Sequence, residues 1–81
     1  MSDAAIAEHI VEALEATANA AGGGKTKLVS VNIEMLASGV DVEAQVNVAR
    51  KTRTLLFLSA EVRSRDGARV ASASSVHKVL G

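Results

Sequence analysis

Residues 52–81 read TRTLLFLSAEVRSRDGARVASASSVHKVLG, and this stretch carries the strongest signal for the fold. It contains two runs in which apolar residues alternate with polar or small ones, and Asp66-Gly67 separates the two runs. An Asp-Gly pair in this position is typical of a β-hairpin, because the tight turn needs a positive φ angle and glycine adopts one without steric cost. The C-terminal half of the chain is therefore predicted to be antiparallel sheet.

Two further alternating runs precede this hairpin. The run from Val40 to Val48 alternates without a break, as in a strand with one face in the core and the other in water. A turn is expected just before it, at Ala37-Ser38-Gly39.

The third predicted strand, the first of the hairpin, has Leu55 and Phe57 on its second face. That apolar face needs a cover, which a partner subunit could supply. The predicted strands are about 27–36, 40–50, 54–64 and 69–80.

An amphipathic helix is predicted over residues 3–21, which contain no proline or glycine and are rich in alanine, glutamate and leucine. Ser2 or Asp3 can cap its N-terminus. Glycines 22–24 end it, because they favour non-helical conformations. The expected fold is α+β, a single domain of residues 1–81 with one N-terminal helix packed on a four-stranded antiparallel meander. The expected apolar stripe of the helix is Ile6, Ile10, Ala13, Leu14, Thr17 and Ala21.

The composition favours self-association. With 81 residues the chain is one small domain, and its only aromatic residue is Phe57, so aliphatic and alanine side chains must supply the core. There is no cysteine to form a disulfide. A homodimer or homotetramer is expected, because oligomerisation is a usual way to stabilise a small core.

Charge and hydropathy exclude several classes of protein. Nine basic and nine acidic residues cancel, which argues against a general nucleic-acid-binding protein. The N-terminal segment carries Asp3, Glu8 and Glu12 and does not look like a signal peptide. No apolar run reaches the roughly 18 residues of a membrane span. A cytoplasmic protein without a membrane or nucleic-acid partner is expected.

The segment GGGKT, residues 22–26, matches a phosphate-binding loop only in part. The full motif has another glycine five residues before Gly24, where this chain has Asn19, and it follows a strand and precedes a helix. Here a helix is expected before the glycines and a strand after them. A helix stop followed by a solvated lysine is the simpler interpretation.

The two histidines are weak candidates for chemistry. His9 lies three residues before Glu12, so the carboxylate could orient the imidazole or share a proton with it, although an exposed helix histidine is the simpler interpretation. His77 is expected to be a strand residue in a polar environment. No histidine or cysteine stands at metal-ligand spacing, so no metal site is predicted. The nearby hydroxyl residues are expected to be packing spacers: Ser72, Ser74 and Ser75.

The segment Arg50-Lys51-Thr52-Arg53 concentrates three of the nine positive charges in four residues. A solvated turn between two strands is one interpretation. The other is an anion site, because clustered Arg and Lys side chains bind phosphate groups through charge-assisted hydrogen bonds.

After a helix rich in Ala and Glu, the chain continues with LVSVNIEMLASG (28–39), VDVEAQVNVARKTRTLLFLSAEV (40–62) and DGARVASASSVHKVL (66–80). In this order the segments resemble the hotdog-fold acyl-CoA thioesterases of the phenylacetate-pathway and 4-hydroxybenzoyl-CoA types. The resemblance covers the chain from about Val11 onward and lies mainly in its pattern. It implies a long helix wrapped by an antiparallel sheet, subunits that pair edge to edge, and an acyl-CoA thioester bound between subunits.

The resemblance also implies roles for individual residues. In that family a carboxylate on the helix acts as nucleophile or general base, and a backbone N–H at the helix start polarises the thioester carbonyl. Glu12 lies closest to the carboxylate position, with His9 beside it. It also falls on the polar face of the predicted helix, so a simple solvated glutamate is the alternative interpretation. Arg50, Lys51 and Arg53 lie where the family often places basic residues near the CoA phosphates. CoA is then part of the substrate, and no separate cofactor is expected.

The start of the chain departs from the family pattern. Family members normally have a further strand and a loop with His-Gly-Gly or a similar sequence before the helix, and that loop supplies much of the catalytic pocket. Here the sequence begins almost at the helix, so either the domain is shortened or a partner chain supplies the missing parts. Two classes of function stay open: a small acyl-CoA thioesterase, and a non-catalytic hotdog-like module that binds acyl groups or only assembles with itself.

Overall fold

In the computed structural model, which describes residues 2–80, the chain forms one helix and four strands. The strands make one antiparallel sheet in the spatial order β1-β4-β3-β2, and α1 packs across one face of it. The predicted α+β class, one helix on a four-stranded antiparallel sheet, is confirmed. The elements are α1 (Asp3–Ala21), β1 (Thr26–Met35), β2 (Glu43–Lys51), β3 (Leu55–Arg63) and β4 (Arg69–Val79).

The helix has the bounds that the sequence predicts. Ser2 caps it, since the Ser2 Oγ accepts a hydrogen bond of 3.1 Å from the Ala5 backbone N–H. The prediction of the buried stripe was partly wrong: Ala18 belongs to it, whereas three of the residues named for it are only partly buried, Ala13, Thr17 and Ala21. The buried side chains follow a four-residue spacing, which keeps them on the side that faces the sheet: Ile6, Ile10, Leu14 and Ala18.

No helix within residues 2–80 is both long and apolar enough to cross a membrane.

The segment GGGKT connects the helix to the first strand. Gly23 and Gly24 have φ angles of 82° and 111°, which glycine adopts more easily than other residues. Asn19 fixes the connection, because its Oδ1 accepts hydrogen bonds from the Thr26 backbone N–H at 3.0 Å and from the Thr26 hydroxyl at 2.7 Å. The interpretation of the glycines as a helix stop is confirmed.

The hairpin between β3 and β4 forms where Asp66-Gly67 predicts it. Gly67 has a φ angle of 90°. The Ser64 N–H donates to the Ala68 carbonyl at 2.8 Å, and the Gly67 N–H donates to the Ser64 carbonyl at 2.9 Å. These bonds close the turn and set the register of the two strands.

The strand order differs from the predicted meander. β2, β3 and β4 follow one another as a meander, but β1 pairs with β4, so β1 and β2 lie at opposite edges of the sheet. Residues 36–42 therefore cross one end of the sheet, where the N–H groups of Leu36 and Ala37 donate to the Val70 carbonyl at 2.8 and 3.1 Å. The prediction was wrong here because alternation identifies a strand and its buried face, but not its neighbour.

β2 begins at Glu43, later than the predicted start at Val40. Asp41 has a φ angle of 51°, which is outside the strand region, and Val40 is 66% exposed. Gly39 lies so close to β4 that a Cβ there would be 2.7 Å from the Val70 Cγ2. The crossing segment thus has its own packing, and the alternation of its residues does not reflect a strand.

One face of the sheet holds the core under α1. Directly opposite residues of an antiparallel pair share a face, so the registers extend this face to Ile33, opposite Ala73, and to Val46, opposite Ala60. We call this face the helix side and the other face the outer face. The buried side chains of β3 and β4 are Leu56, Leu58, Ala60, Val62, Val70, Ala71, Ala73, Ser75 and His77.

Candidate functional site

The acidic side chains of α1 are exposed: Asp3, Glu8, Glu12 and Glu15. Glu12 and His9, the residues predicted to carry catalysis, are both exposed and lie three positions apart, so they are neighbours on the helix surface. Neither side chain forms a hydrogen bond or an ion pair with another residue in the range 2–80. Neither lines the grooves described below. In the single chain the pair lies on an open surface.

The three basic residues predicted to bind phosphates lie together but point in different directions. The Lys51 Nζ donates a hydrogen bond of 2.9 Å to the Ala21 carbonyl and so ties the β2–β3 turn to the C-terminal end of α1, where free carbonyls favour a cation. Arg50 pairs with Phe57 on the outer face, and its guanidinium carbon lies 5.9 Å from the centre of the Phe57 ring. Arg53 is exposed in the turn. Because side chains alternate along β2, Arg50 and Lys51 lie on opposite faces of the sheet.

Three lysines join these residues at the same end of the sheet. Lys25 and Lys27 lie at the start of β1, and Lys78 lies near the end of β4, directly opposite both Lys27 and Leu55. Sequence reasoning did not find this grouping, because only the strand order places the start of β1 and the end of β4 at the same end of the sheet as the β2–β3 turn. We call the group the basic end; it contains six of the nine basic residues of the chain, namely Lys25, Lys27, Arg50, Lys51, Arg53 and Lys78.

The charges of the basic end have no acidic partner within residues 2–80, whereas those of the other end are paired. The three ion pairs found in this range all involve the remaining arginines: Arg63 with Glu61, Arg69 with Glu61, and Arg65 with Asp41. Because unpaired cations attract anions, the basic end is the candidate anion-binding surface.

Ser75 and His77 form a buried polar pair on the helix side of β4. The Ser75 Oγ and the His77 Nε2 lie 2.8 Å apart and share a hydrogen bond, and the two residues are 4% and 0% exposed. His77 lies directly opposite Leu28 and Leu56, so the prediction of a polar environment for it was wrong. Ser75, predicted to be a packing spacer, instead bonds the imidazole. The two-residue period that buries Ala73 could have placed both residues inside.

Burial also changes the protonation of this histidine. It lowers the pKa of His77 below the usual 6.5, and the charge of Glu15 opposes the shift. The imidazole is therefore neutral at pH 7, and its Nδ1 has no hydrogen-bond partner within the described chain. A serine and a histidine at this distance resemble a nucleophile and its base. Here the pair lies in the core, where a substrate has no access, so its role is structural.

The outer face carries polar side chains in rows that cross the sheet. Asn32 lies opposite Ser74, Ser74 opposite Ser59, and Ser59 opposite Asn47, so the four residues form one row across four strands. We call it the polar row. A groove of about 330 Å³ runs beside it on this face. The outer-face side chains along the groove are Ser30, Asn32, Phe57, Ser59, Ser74 and Val76.

A larger groove, about 590 Å³, lies at the end opposite to the basic end, between residues 38–40 and the β3–β4 hairpin. There Asp66 accepts hydrogen bonds from the Ser64 hydroxyl and the Ala68 N–H, and these bonds lower the pKa of the Asp66 carboxyl. None of the residues predicted for catalysis or phosphate binding lines this groove. The described part of the chain contains no group of three or more His, Cys, Asp or Glu side chains that could hold a metal ion.

Two solved structures are similar to this fold. The BH2602 protein from Bacillus halodurans, crystallised with CoA, matches with a TM-score of 0.66 and 17% sequence identity over 69% of this chain and 38% of its own. A hypothetical thioesterase protein from Streptococcus pneumoniae TIGR4, crystallised as a mutant, matches with a TM-score of 0.66 and 18% identity over 70% of this chain and 49% of its own.

These comparisons confirm the predicted hotdog-like fold of one helix on a four-stranded antiparallel sheet. The chain spans less than half the length of either protein. No protein-family model matches the sequence, and no curated protein matches it either. At 17% and 18% identity the likeness is one of fold, and function has to be argued from the residues of this chain.

Proposed function

We propose that the protein is acyl-CoA thioesterase-like, binding a CoA thioester at an interface between subunits and hydrolysing it. The observation that carries the proposal is the basic end, where six cations have no acidic partner within residues 2–80. The phosphate groups of CoA fit such a cluster, because Arg and Lys bind phosphate through charge-assisted hydrogen bonds. The CoA in the BH2602 crystal and the thioesterase description of the second similar structure support the same ligand class.

The phosphates bind at the β2–β3 turn through Arg50, Lys51 and Arg53. Lys51 holds the turn against the end of α1 through its bond to the Ala21 carbonyl. The turn is itself closed by hydrogen bonds of 2.8 Å from the Thr52 N–H to the Leu55 carbonyl and of 3.0 Å from the Leu55 N–H to the Thr52 Oγ. The cations are thus presented from a fixed connection, which lowers the entropy cost of binding a phosphate.

Glu12 supplies the chemistry in this proposal. Its carboxylate takes a proton from a water molecule, the water oxygen bonds to the thioester carbonyl carbon, and the carbon–sulfur bond breaks. The CoA thiolate leaves and takes up the proton that Glu12 holds. His9, the exposed neighbour of Glu12, orients the carboxylate or shares its proton.

The mechanism needs a second subunit. A carboxylate in open water is a weak base, and an apolar cover makes it a stronger one. Glu12 is exposed in the single chain, so the cover comes from another copy in a homodimer or homotetramer. We place this assembly in the cytoplasm, without a membrane or nucleic-acid partner.

A hydrolysis screen with short-chain, long-chain and aromatic acyl-CoAs tests the mechanism. Glu12→Gln keeps the shape of the side chain but removes its charge, so turnover is expected to fall by about two orders of magnitude or more. Glu8→Gln is the matched control, because Glu8 is exposed on the same helix and has no assigned role. Equal rates for Glu12→Gln and an active parent contradict the mechanism.

CoA binding is tested separately by calorimetry at low salt. Replacing Arg50, Lys51 and Arg53 with Gln is expected to weaken binding about tenfold or more, which corresponds to about 1.4 kcal/mol. The matched control replaces Arg63, Arg65 and Arg69, which removes the same charge from the other end of the sheet and should leave CoA binding nearly unchanged. A parent that does not bind CoA, or equal losses in both variants, rules out the phosphate site.

A second candidate is a non-catalytic hotdog-like module that binds acyl groups or only assembles with itself. The open surface around Glu12 and His9 favours it, because neither side chain has a hydrogen-bond partner within the described residues. A protein that binds CoA but hydrolyses none of the acyl-CoAs would fit this candidate. A protein that forms a stable oligomer but does not bind CoA would be an assembly module only.

A further inference from the structure

The outer face carries a like-charged pair at the basic end. Lys27 and Lys78 lie directly opposite each other on β1 and β4, and both are exposed. Like charges in this position destabilise a sheet. No acidic side chain in residues 2–80 pairs with either lysine, and the phosphate contacts proposed above are made by Arg50, Lys51 and Arg53. A phosphate group bound between the two amino groups would remove the repulsion.

The polar row offers hydrogen bonds that the described chain does not use. None of its four side chains bonds to another residue within the range 2–80, namely Asn32, Ser74, Ser59 and Asn47. Amides and hydroxyls both donate and accept, so the row suits a ligand that presents both kinds of group. Ser74 is four residues before Lys78 on β4, which is about 13 Å along a strand.

An apolar strip separates the lysine pair from the polar row. Val76 lies opposite Phe57 on the outer face, both are half-buried, and both line the groove of about 330 Å³. The Arg50 guanidinium lies over the Phe57 ring, with its carbon 5.9 Å from the ring centre, and it moves aside when a ligand ring lies on Phe57. A flat ring can lie against such a surface, because aromatic side chains attract the faces of heterocyclic bases.

We propose that the outer face of the sheet is a nucleotide-binding site. The phosphate groups lie between Lys27 and Lys78, the base lies over Val76 and Phe57, and its polar atoms reach the polar row. From the basic end inward, the outer face presents the cation pair, then the apolar strip and then the polar row. A nucleotide presents its groups in the same order: the phosphate, the ring face and the ring edge. The ligand is a free nucleotide or the nucleotide part of a larger molecule such as CoA, since both present this chemistry.

The site does not use the residues proposed for catalysis, and it shares only Arg50 with the proposed phosphate contacts. Glu12 and His9 are on α1, which covers the opposite face of the sheet, so the two sites do not share these residues. Glu12→Gln is therefore expected to leave nucleotide binding unchanged. Failure of the thioesterase proposal and failure of the nucleotide site thus give different results.

Calorimetry at low salt with ADP, inorganic pyrophosphate and CoA tests the site. The double variant K27Q/K78Q is expected to weaken ADP and pyrophosphate binding about tenfold or more. R63Q/R65Q is the matched control, because it removes two positive charges from the other end of the sheet, and it should change binding less than about threefold. Unfolding is not expected to explain a loss, because removing the lysine repulsion should keep or raise the melting temperature of K27Q/K78Q.

A second variant separates recognition of the base from recognition of the phosphates. S59A/S74A removes two hydroxyls of the polar row and should weaken ADP binding about threefold or more without changing pyrophosphate binding. Competition between CoA and ADP identifies CoA as a source of the nucleotide, and ADP binding that CoA does not displace assigns a free nucleotide.

Nuclear magnetic resonance locates the ligand directly. ADP is expected to shift the backbone amide signals of Ser59, Ser74 and Lys78 and to leave those of α1 unchanged. The proposal is wrong if the parent does not bind ADP, or if the two charge variants lose equal affinity. It is also wrong if the shifts are confined to α1, or if a second copy covers the outer face so that Ser59 and Ser74 do not respond.

Discussion

The two faces of the sheet are built from neighbouring residues of the same strands, but their chemistry differs. Leu56 and Leu58 on the helix side are at most 2% exposed, whereas Phe57 and Ser59, which follow them directly in the chain, face outward and are half-buried. Because side chains alternate along a strand, each buried residue has a neighbour that differs from it mainly in the face it occupies. The helix side therefore sets the stability of the fold, and the outer face is more exposed in the single chain.

The largest difference between the faces is expected for two adjacent leucines. Leu56→Ala removes a fully buried side chain under α1 and is expected to cost about 2–5 kcal/mol of unfolding free energy. Leu55→Ala, the same change on the outer face, is expected to cost clearly less, because Leu55 is only half-buried. Urea unfolding of both variants measures the difference. Equal costs would mean that the outer face is also packed, as under a second subunit.

A pair of adjacent serines gives the next largest difference. Ser75→Ala removes the hydrogen bond to His77 and leaves both imidazole nitrogens buried without a partner, which is expected to cost about 1–3 kcal/mol. Ser74→Ala, on the exposed outer face, is expected to stay within about 0.5 kcal/mol of the parent. Thermal unfolding of the two variants compares them. A cost for Ser74→Ala as large as that for Ser75→Ala contradicts the assignment of the faces.

His77 is expected to make the helix side sensitive to acid. Burial lowers its pKa in the folded protein below the usual 6.5, so the unfolded chain takes up the proton first as the pH falls. The stability from neutral His77 is fully present above about pH 6.5 and decreases as the pH falls towards the lower pKa of the folded state.

Urea unfolding at a series of pH values measures this effect. The parent and His9→Gln should lose stability alike below about pH 6.5, because His9 is exposed, and His77→Gln should lose less. The same pH dependence in the parent and in His77→Gln would show that carboxylates, and not His77, cause the loss.

The smallest expected effect has the opposite sign and belongs to the outer face. Lys27→Gln removes the repulsion with Lys78 and is expected to stabilise the protein by about 0.2–1 kcal/mol at low salt. The gain should decrease as salt screens the two charges. Arg65→Gln serves as the control, because Arg65 is exposed and lies near Asp41, so its removal should not stabilise the fold. No gain for Lys27→Gln at low salt would show that the lysine pair carries no repulsion.

Features that depend on nearby residues could be predicted from the sequence. The helix bounds at Asp3 and Ala21 follow from the Ser2 cap and the three glycines, which act within one or two turns of the helix. The β3–β4 hairpin follows from Asp66-Gly67, because Gly67 takes the positive φ angle that the turn requires. The α+β class follows from the change of period between the helix and the strands.

Features that depend on distant residues could not be predicted. β1 joins β4, and the alternating residues 40–42 belong to a crossing segment, because pairing between strands is decided by contacts far apart in sequence. The burial of His77 was missed for a different reason. The two-residue period along β4 places His77 on the same face as Ala73, which the sequence shows. Histidine is usually exposed, however, and only the packing of α1 over β4 closes that face.

The candidate site also has a part that could be predicted from the sequence and a part that only the tertiary structure shows. The sequence singled out Glu12, His9 and the basic turn by residue type and by resemblance, and their roles stay predictions. The sequence alone determined the helix, the hairpin and the alternation of faces, because local spacing sets where each side chain points. Only the tertiary structure brought Lys25, Lys27 and Lys78 to the turn and aligned the polar row, since the strand order places residues distant in sequence side by side.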